Sequence, residues 1–113
     1  MDYTERLRRL AINDAFFAEE AAGGAGTGPC ELDPKTLALV RLAALVAVGG
    51  AVPSYGAHAD AAVNAGATAA EIVDVLVGVI PIVGLPLVVA TAPKLAMALG
   101  YDTNGAFEHR SDG

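Results

Sequence analysis

Helix start and stop signals constrain the fold of this sequence more than any other feature. Thr68 and Glu71 enclose a capping box, in which the threonine hydroxyl accepts from the glutamate backbone while the glutamate side chain reaches back. Asp33 and Pro34 form a second start signal, since aspartate accepts from free N–H groups and proline fits the first helical position. Gly66 is a stop signal because glycine adopts the left-handed conformation that closes many helices. These signals predict a chain of short helices.

Apolar residues recur between the signals at steps of three and four, as on one face of a helix. Ser54 is the expected N-cap of the middle helix, and Pro81 is expected to end or kink the next one. No strand pattern of comparable strength appears. The sequence therefore predicts an all-α fold, a small bundle of about five to six helices. Five of them are expected near residues 3–21, 34–48, 54–64, 69–79 and 86–99.

A chain of 113 residues has the length of a single domain, which we expect to span residues 1–113. An N-terminal helix is expected within residues 1–22. Glycines make residues 23–30 a predicted flexible loop, residues 31–100 form the predicted core, and residues 101–113 form a polar tail.

Charge and apolar content exclude several classes of partner. The net charge is −6, and the only dense basic run, Arg6 to Arg9, lies among acidic residues, so we expect no nucleic-acid partner. Charges, glycines and prolines interrupt the apolar stretches 37–52 and 72–90, so no membrane partner is expected. Cys30 is the single cysteine and cannot form an internal disulfide, which favours a cytoplasmic location. The hydrophobic fraction of 54% exceeds what a monomer of this size needs and predicts a homo-oligomer.

His58 is the main candidate for chemistry, since imidazole accepts and donates protons near neutral pH. On a helix, Ser54 lies one turn before it and Tyr55 lies beside it. Arg41 stands in an apolar helix, where a guanidinium either binds an anion or pairs with Glu71 or Asp74. No cluster offers three metal ligands, so neither a metal nor another cofactor is expected.

The segments Leu32–Thr36, Ala65–Ile72 and Gly84–Pro86, with His58 between the first two, resemble the carboxymuconolactone decarboxylase family, which includes alkylhydroperoxidase D-like proteins. The resemblance covers about residues 31–100. It implies an alkylhydroperoxidase D-like helical fold assembled as trimers or hexamers, with sites near subunit contacts. It also implies lyase-type acid–base chemistry on a small organic acid or lactone, with His58, Tyr55 and Ser54 at the site and Arg41 as a candidate anion anchor.

The chain departs from the peroxidase branch of this family at the two cysteine positions. Ala51 and Ser54 stand where that branch has its cysteine pair, so thiol peroxidase or antioxidant activity is disfavoured. Two alternatives to an enzyme with an active His58 stay open. The chain is either a non-catalytic oligomeric module that binds a small molecule or a protein, or His58 is a structural residue at a subunit contact.

Overall fold

The computed structural model describes residues 2–15, 19, 22 and 30–100, and its regular structure in those parts is entirely helical. This confirms the all-α prediction. The predicted tail 101–113 and residues 23–29 of the predicted loop lie outside the described residues. The chain divides into two compact units, Met1–Asp33 and Pro34–Gly113. The single domain over residues 1–113 stays a prediction.

The first unit contains helix α1, Tyr3–Ala11. The Asp2 carboxylate caps it by accepting from the Glu5 backbone N–H at 2.8 Å. The predicted helix 3–21 is interrupted after Ala11, where Asn13 adopts a left-handed φ of 57°, and the described residues Ala15 and Glu19 are helical again. Asparagine tolerates this conformation better than most residues, so the chain can turn there.

The second unit contains four helices within residues 34–100: α2 (Pro34–Val48), α3 (Val52–Asn64), α4 (Ala69–Val83) and α5 (Leu85–Ala98). Helix α3 packs against α2 and α5, and α4 packs against the same two helices. The core lies where these helices meet. Its largest fully buried side chains are Leu42, Val46, Tyr55, Ile72 and Leu95.

Two helix signals perform as the sequence predicts. Thr68 Oγ1 accepts from the Glu71 N–H at 3.1 Å, and the Glu71 carboxylate accepts from the Thr68 N–H at 3.0 Å. At the end of α3, Gly66 has a φ of 103°, and its N–H donates to the Val63 carbonyl at 3.0 Å. The next N–H, of Ala67, donates to the Ala62 carbonyl at 2.9 Å. This pair of bonds satisfies two carbonyls that the helix end would otherwise leave free.

Two other helix boundaries differ from the prediction. Helix α3 begins at Val52 with Ala51 as its N-cap, so Ser54 lies inside the first turn and is not the cap. Pro53 explains the earlier start, since its missing N–H costs nothing there. Pro81 does not end α4, which continues to Val83 before Gly84 turns the chain with a φ of 92°. No helix among the described residues is long and apolar enough to cross a bilayer.

Candidate functional site

Tyr55 anchors helix α3, which carries three of the predicted site residues. Its side chain is 0% exposed, and it shares the buried face of α3 with Ala59 and Ala62. The Tyr55 hydroxyl donates to the backbone carbonyl of Leu45, on α2, at 3.5 Å. A buried ring with a bonded hydroxyl fixes the position of α3 against α2. Tyr55 therefore lies in the core, three residues before His58 in the sequence.

The turn between α2 and α3 packs tightly over Tyr55. A Cβ on Gly50 would lie 2.7 Å from Leu45 Cδ1 and 3.4 Å from Tyr55 Cε2, so only glycine fits without displacing Leu45. The Gly50 carbonyl accepts from the Lys94 ammonium, on α5, at 3.2 Å. Lys94 thus joins α5 to the turn immediately before the first turn of α3.

His58 is half-buried and lies one helical turn after the exposed Ser54. None of the hydrogen bonds or ion pairs found among the described residues involves its imidazole. No buried side-chain nitrogen or oxygen among the described residues lacks a hydrogen-bond partner, so the His58 ring nitrogens are not buried. Both ring nitrogens are therefore available to solvent, a substrate or a second copy of the chain.

Arg41 is half-buried on α2, where the helical spacing places it beside the buried Leu37 and Ala38. Its aliphatic stem can cover apolar surface while the guanidinium reaches the edge of the bundle. Glu71, one of the two carboxylates suggested by the sequence for Arg41, forms an ion pair with Lys35 at 2.7 Å. The Lys35 contact, and then the Thr68 N–H bond, lower the pKa of Glu71. The capping box is therefore tied to the start of α2.

The described residues contain no group of three or more His, Cys, Asp or Glu side chains placed to hold a metal ion. Cys30 is a free, half-buried thiol in the first unit. Ser54, Tyr55 and His58 lie on α3, whereas Arg41 lies on α2.

Lys94 is not among the site residues predicted from the sequence. Its partner is a backbone carbonyl 44 positions earlier in the chain, and backbone carbonyls leave no signature in a sequence. The one signal in the sequence was the scarcity of cations. Residues 34–100 contain only Lys35, Arg41 and Lys94, so each of them was a candidate for a specific contact.

Comparisons with known proteins support one relationship. The model of the carboxymuconolactone decarboxylase family matches residues 14–96, well over half of the chain. No curated protein and no solved structure gave a significant match.

Proposed function

Since this chain belongs to the carboxymuconolactone decarboxylase family, we propose that it performs acid–base, lyase-type chemistry on a small organic acid or lactone. His58 is the group that moves the proton in this proposal. The observation that carries it is the half-buried imidazole with no partner among the described residues. An imidazole in that state can act as general base or, once protonated, as general acid near neutral pH.

The proton balance of a decarboxylation suits one such residue. When the carbon–carboxylate bond breaks, carbon dioxide leaves and its bonding electron pair stays on the substrate carbon. Protonated His58 would deliver a proton to that carbon, and the neutral imidazole would regain one from water. No second titrating group is needed to close this cycle.

The other predicted residues have supporting roles in the proposal. Ser54 offers an exposed hydroxyl one turn before His58 as a hydrogen-bond donor to the substrate. Tyr55 acts as a positioning residue, because its ring is buried and its hydroxyl is bonded to the Leu45 carbonyl. Arg41 is the proposed anchor for a substrate carboxylate, since guanidinium pairs with carboxylate through two parallel bonds.

We also propose that the chain works as a homo-oligomer, a trimer or hexamer, in the cytoplasm. Residues 34–100 hold only six charged side chains, whereas about a quarter of an ordinary soluble domain is charged. Large apolar side chains on several helices are at least half exposed, among them Val48, Val77, Ile82 and Val89. The same observation favours the second candidate function, a non-catalytic oligomeric module that binds a small molecule or protein. Thiol peroxidase activity stays disfavoured because Cys30 is the only cysteine.

The test is turnover of a panel of carboxylated lactones, measured as carbon dioxide release, by wild type and His58→Gln. Glutamine keeps hydrogen-bonding capacity but cannot transfer the proton, so we expect a loss of roughly 100-fold or more in kcat. Asp60→Asn, two residues along on an exposed position of α3, is the matched control and should keep full turnover. Light scattering on each variant reports the assembly.

Each outcome decides between the candidates. Loss of turnover with unchanged mass supports acid–base catalysis by His58. A dissociated His58→Gln variant supports the structural role at a subunit contact. Wild type that binds panel members without turning any of them over would replace the enzyme with the binding module.

A further inference from the structure

Helices α4 and α5 each present an apolar face that the other described helices leave exposed. On α4 the exposed positions Ala70, Val73, Val77 and Pro81 follow steps of three and four, as one face of a helix requires. Val73 is 46% exposed and Val77 is 59% exposed. The four positions are interrupted by a single charge, Asp74, which is also exposed.

The outward face of α5 is also apolar, but its single charge is positive. Pro86, Val89, Ala90 and Met97 are exposed there, with Val89 at 61% and Met97 at 58%. The single charge on this face is Lys94. We call these two surfaces the α4 face and the α5 face.

Neither charge is neutralised within the described part of the chain. Asp74 forms no hydrogen bond or ion pair there, and the Lys94 bond is to the Gly50 carbonyl, which carries no net charge. An ammonium has three donors, so Lys94 keeps two of them available. Covering either face with apolar surface alone would bury an uncompensated charge, which is costly.

We propose that the α4 face of one copy of the chain packs against the α5 face of a second copy, with Asp74 of one copy paired to Lys94 of the other. This inference rests on the proposed self-association and names its surface, and it does not depend on the chemistry at His58. A second copy covers the exposed apolar side chains with apolar side chains of its own. It also supplies a charge of opposite sign to Asp74 and to Lys94. Packing α4 against α4 would instead leave both aspartates without a cation, and an apolar foreign partner would leave both charges unpaired.

The exposed side chains of these faces also suit association between copies. The α4 and α5 faces carry the large apolar side chains Val73, Val77, Val89 and Met97, each between 46% and 61% exposed. Small residues such as Ala70, Gly78 and Ala90 permit close approach of the facing helices.

Charge reversal tests the proposed contact. Asp74→Lys and Lys94→Glu should each raise the dissociation constant of the assembly roughly tenfold to a hundredfold, measured by analytical ultracentrifugation. Asp60→Lys makes the same charge change as Asp74→Lys at an exposed position of α3, and it should leave association unchanged. Lys94→Met removes the bond to Gly50 without placing like charges together, so it should weaken association less than Lys94→Glu does.

Mixing the variants separates a contact between copies from one within a copy. An equimolar mixture of the Asp74→Lys and Lys94→Glu chains should associate more tightly than either variant alone, because the lysine introduced in one chain meets the glutamate introduced in the other. The double variant should also associate more tightly than either single variant. Circular dichroism on every variant confirms that the helices are intact.

Three results would overturn the inference. Both reversals could leave association unchanged, in which case the chain self-associates through another surface and the proposed oligomer stands. The double variant could recover association while the mixture does not, which would place the charge pair within one copy. Wild type that stays monomeric at 100-fold the concentration of the other measurements would remove both the contact and the oligomer, leaving the faces to a different partner.

Discussion

Replacing Tyr55 separates the contribution of its ring from that of its hydroxyl. In Tyr55→Phe the lost bond is long, at 3.5 Å, and its acceptor keeps another donor, because the Gly49 N–H reaches the Leu45 carbonyl at 2.8 Å. No buried carbonyl is left unsatisfied by the change. The expected loss of unfolding free energy is therefore about 0.5 kcal/mol, the low end for a hydrogen bond.

Tyr55→Ala removes a side chain that is 0% exposed, and with it the packing between α3 and the end of α2. Truncating a fully buried aromatic ring costs about 3–5 kcal/mol. That is a large part of the roughly 5–15 kcal/mol that stabilises a typical domain. The two substitutions should therefore differ by a factor of about six or more in their effect.

Urea unfolding followed by circular dichroism suits this helical chain, which has no Trp for a fluorescence assay. The protein concentration is held constant, because self-association stabilises the folded state by mass action. Tyr3→Ala is the control, since Tyr3 is 82% exposed on α1 and its loss should change stability by at most about 0.5 kcal/mol. A cost above 2 kcal/mol for Tyr55→Phe would contradict the reasoning about the shared Leu45 carbonyl. A cost below 1 kcal/mol for Tyr55→Ala would show that the ring is not part of the core.

Two further predictions concern the helix ends. Gly66→Ala should destabilise the fold by about 1 kcal/mol, because alanine is strained at a φ of 103° although the added Cβ would meet no other atom. Gly56→Ala inside α3 should instead stabilise the fold slightly, because its Cβ also meets no atom and alanine favours a helix. Urea unfolding measures both, and equal effects of the two would refute the role of backbone conformation. Since Lys35 and Thr68 lower the pKa of Glu71 below its ordinary value of 4.5, its carboxylate stabilises the fold above pH 4.5 and that contribution is lost on acidification. In Glu71→Gln the unfolding free energy should decrease less steeply as the pH falls below 4.5. The same pH dependence in the variant and the wild type would refute the contribution of Glu71.

The sequence was most informative where a single residue type decides the backbone. Thr68 with Glu71, Pro34 and Gly66 each act through hydrogen bonds or dihedral angles within a few positions, and all three helix boundaries were predictable. Ser54 misled because serine is a common cap, yet Pro53 shifts the start of α3 to Val52. Pro81 was expected to end or kink α4, and it does not end the helix, which continues to Val83 because the cost of a proline to a helix is finite.

The candidate site was predictable only as a position on a helix. Helical spacing predicted that Ser54 and Tyr55 lie near His58, but it did not show that Tyr55 faces the core, because small residues such as Ser54, Gly56 and Ala59 surround it and define no apolar face. Contacts between distant parts of the chain could not be predicted for the same reason. The apolar helices have almost no polar residues that would distinguish one face from another and so indicate which helix each face packs against.

Lys94 joins the two proposals through the contacts that its ammonium makes. It already holds the Gly50 carbonyl, one residue before the Ala51 cap of α3, and in the proposed contact it also meets Asp74 of a second copy. Pairing with Asp74 would restrict the lysine side chain and thereby the turn that precedes Ser54 and His58. Association would then tighten the first turns of α3, so Asp74→Lys should lower turnover along with assembly although Asp74 lies on a different helix from His58. An Asp74→Lys variant that dissociates yet keeps full turnover would show that the site of each copy works independently of its neighbour.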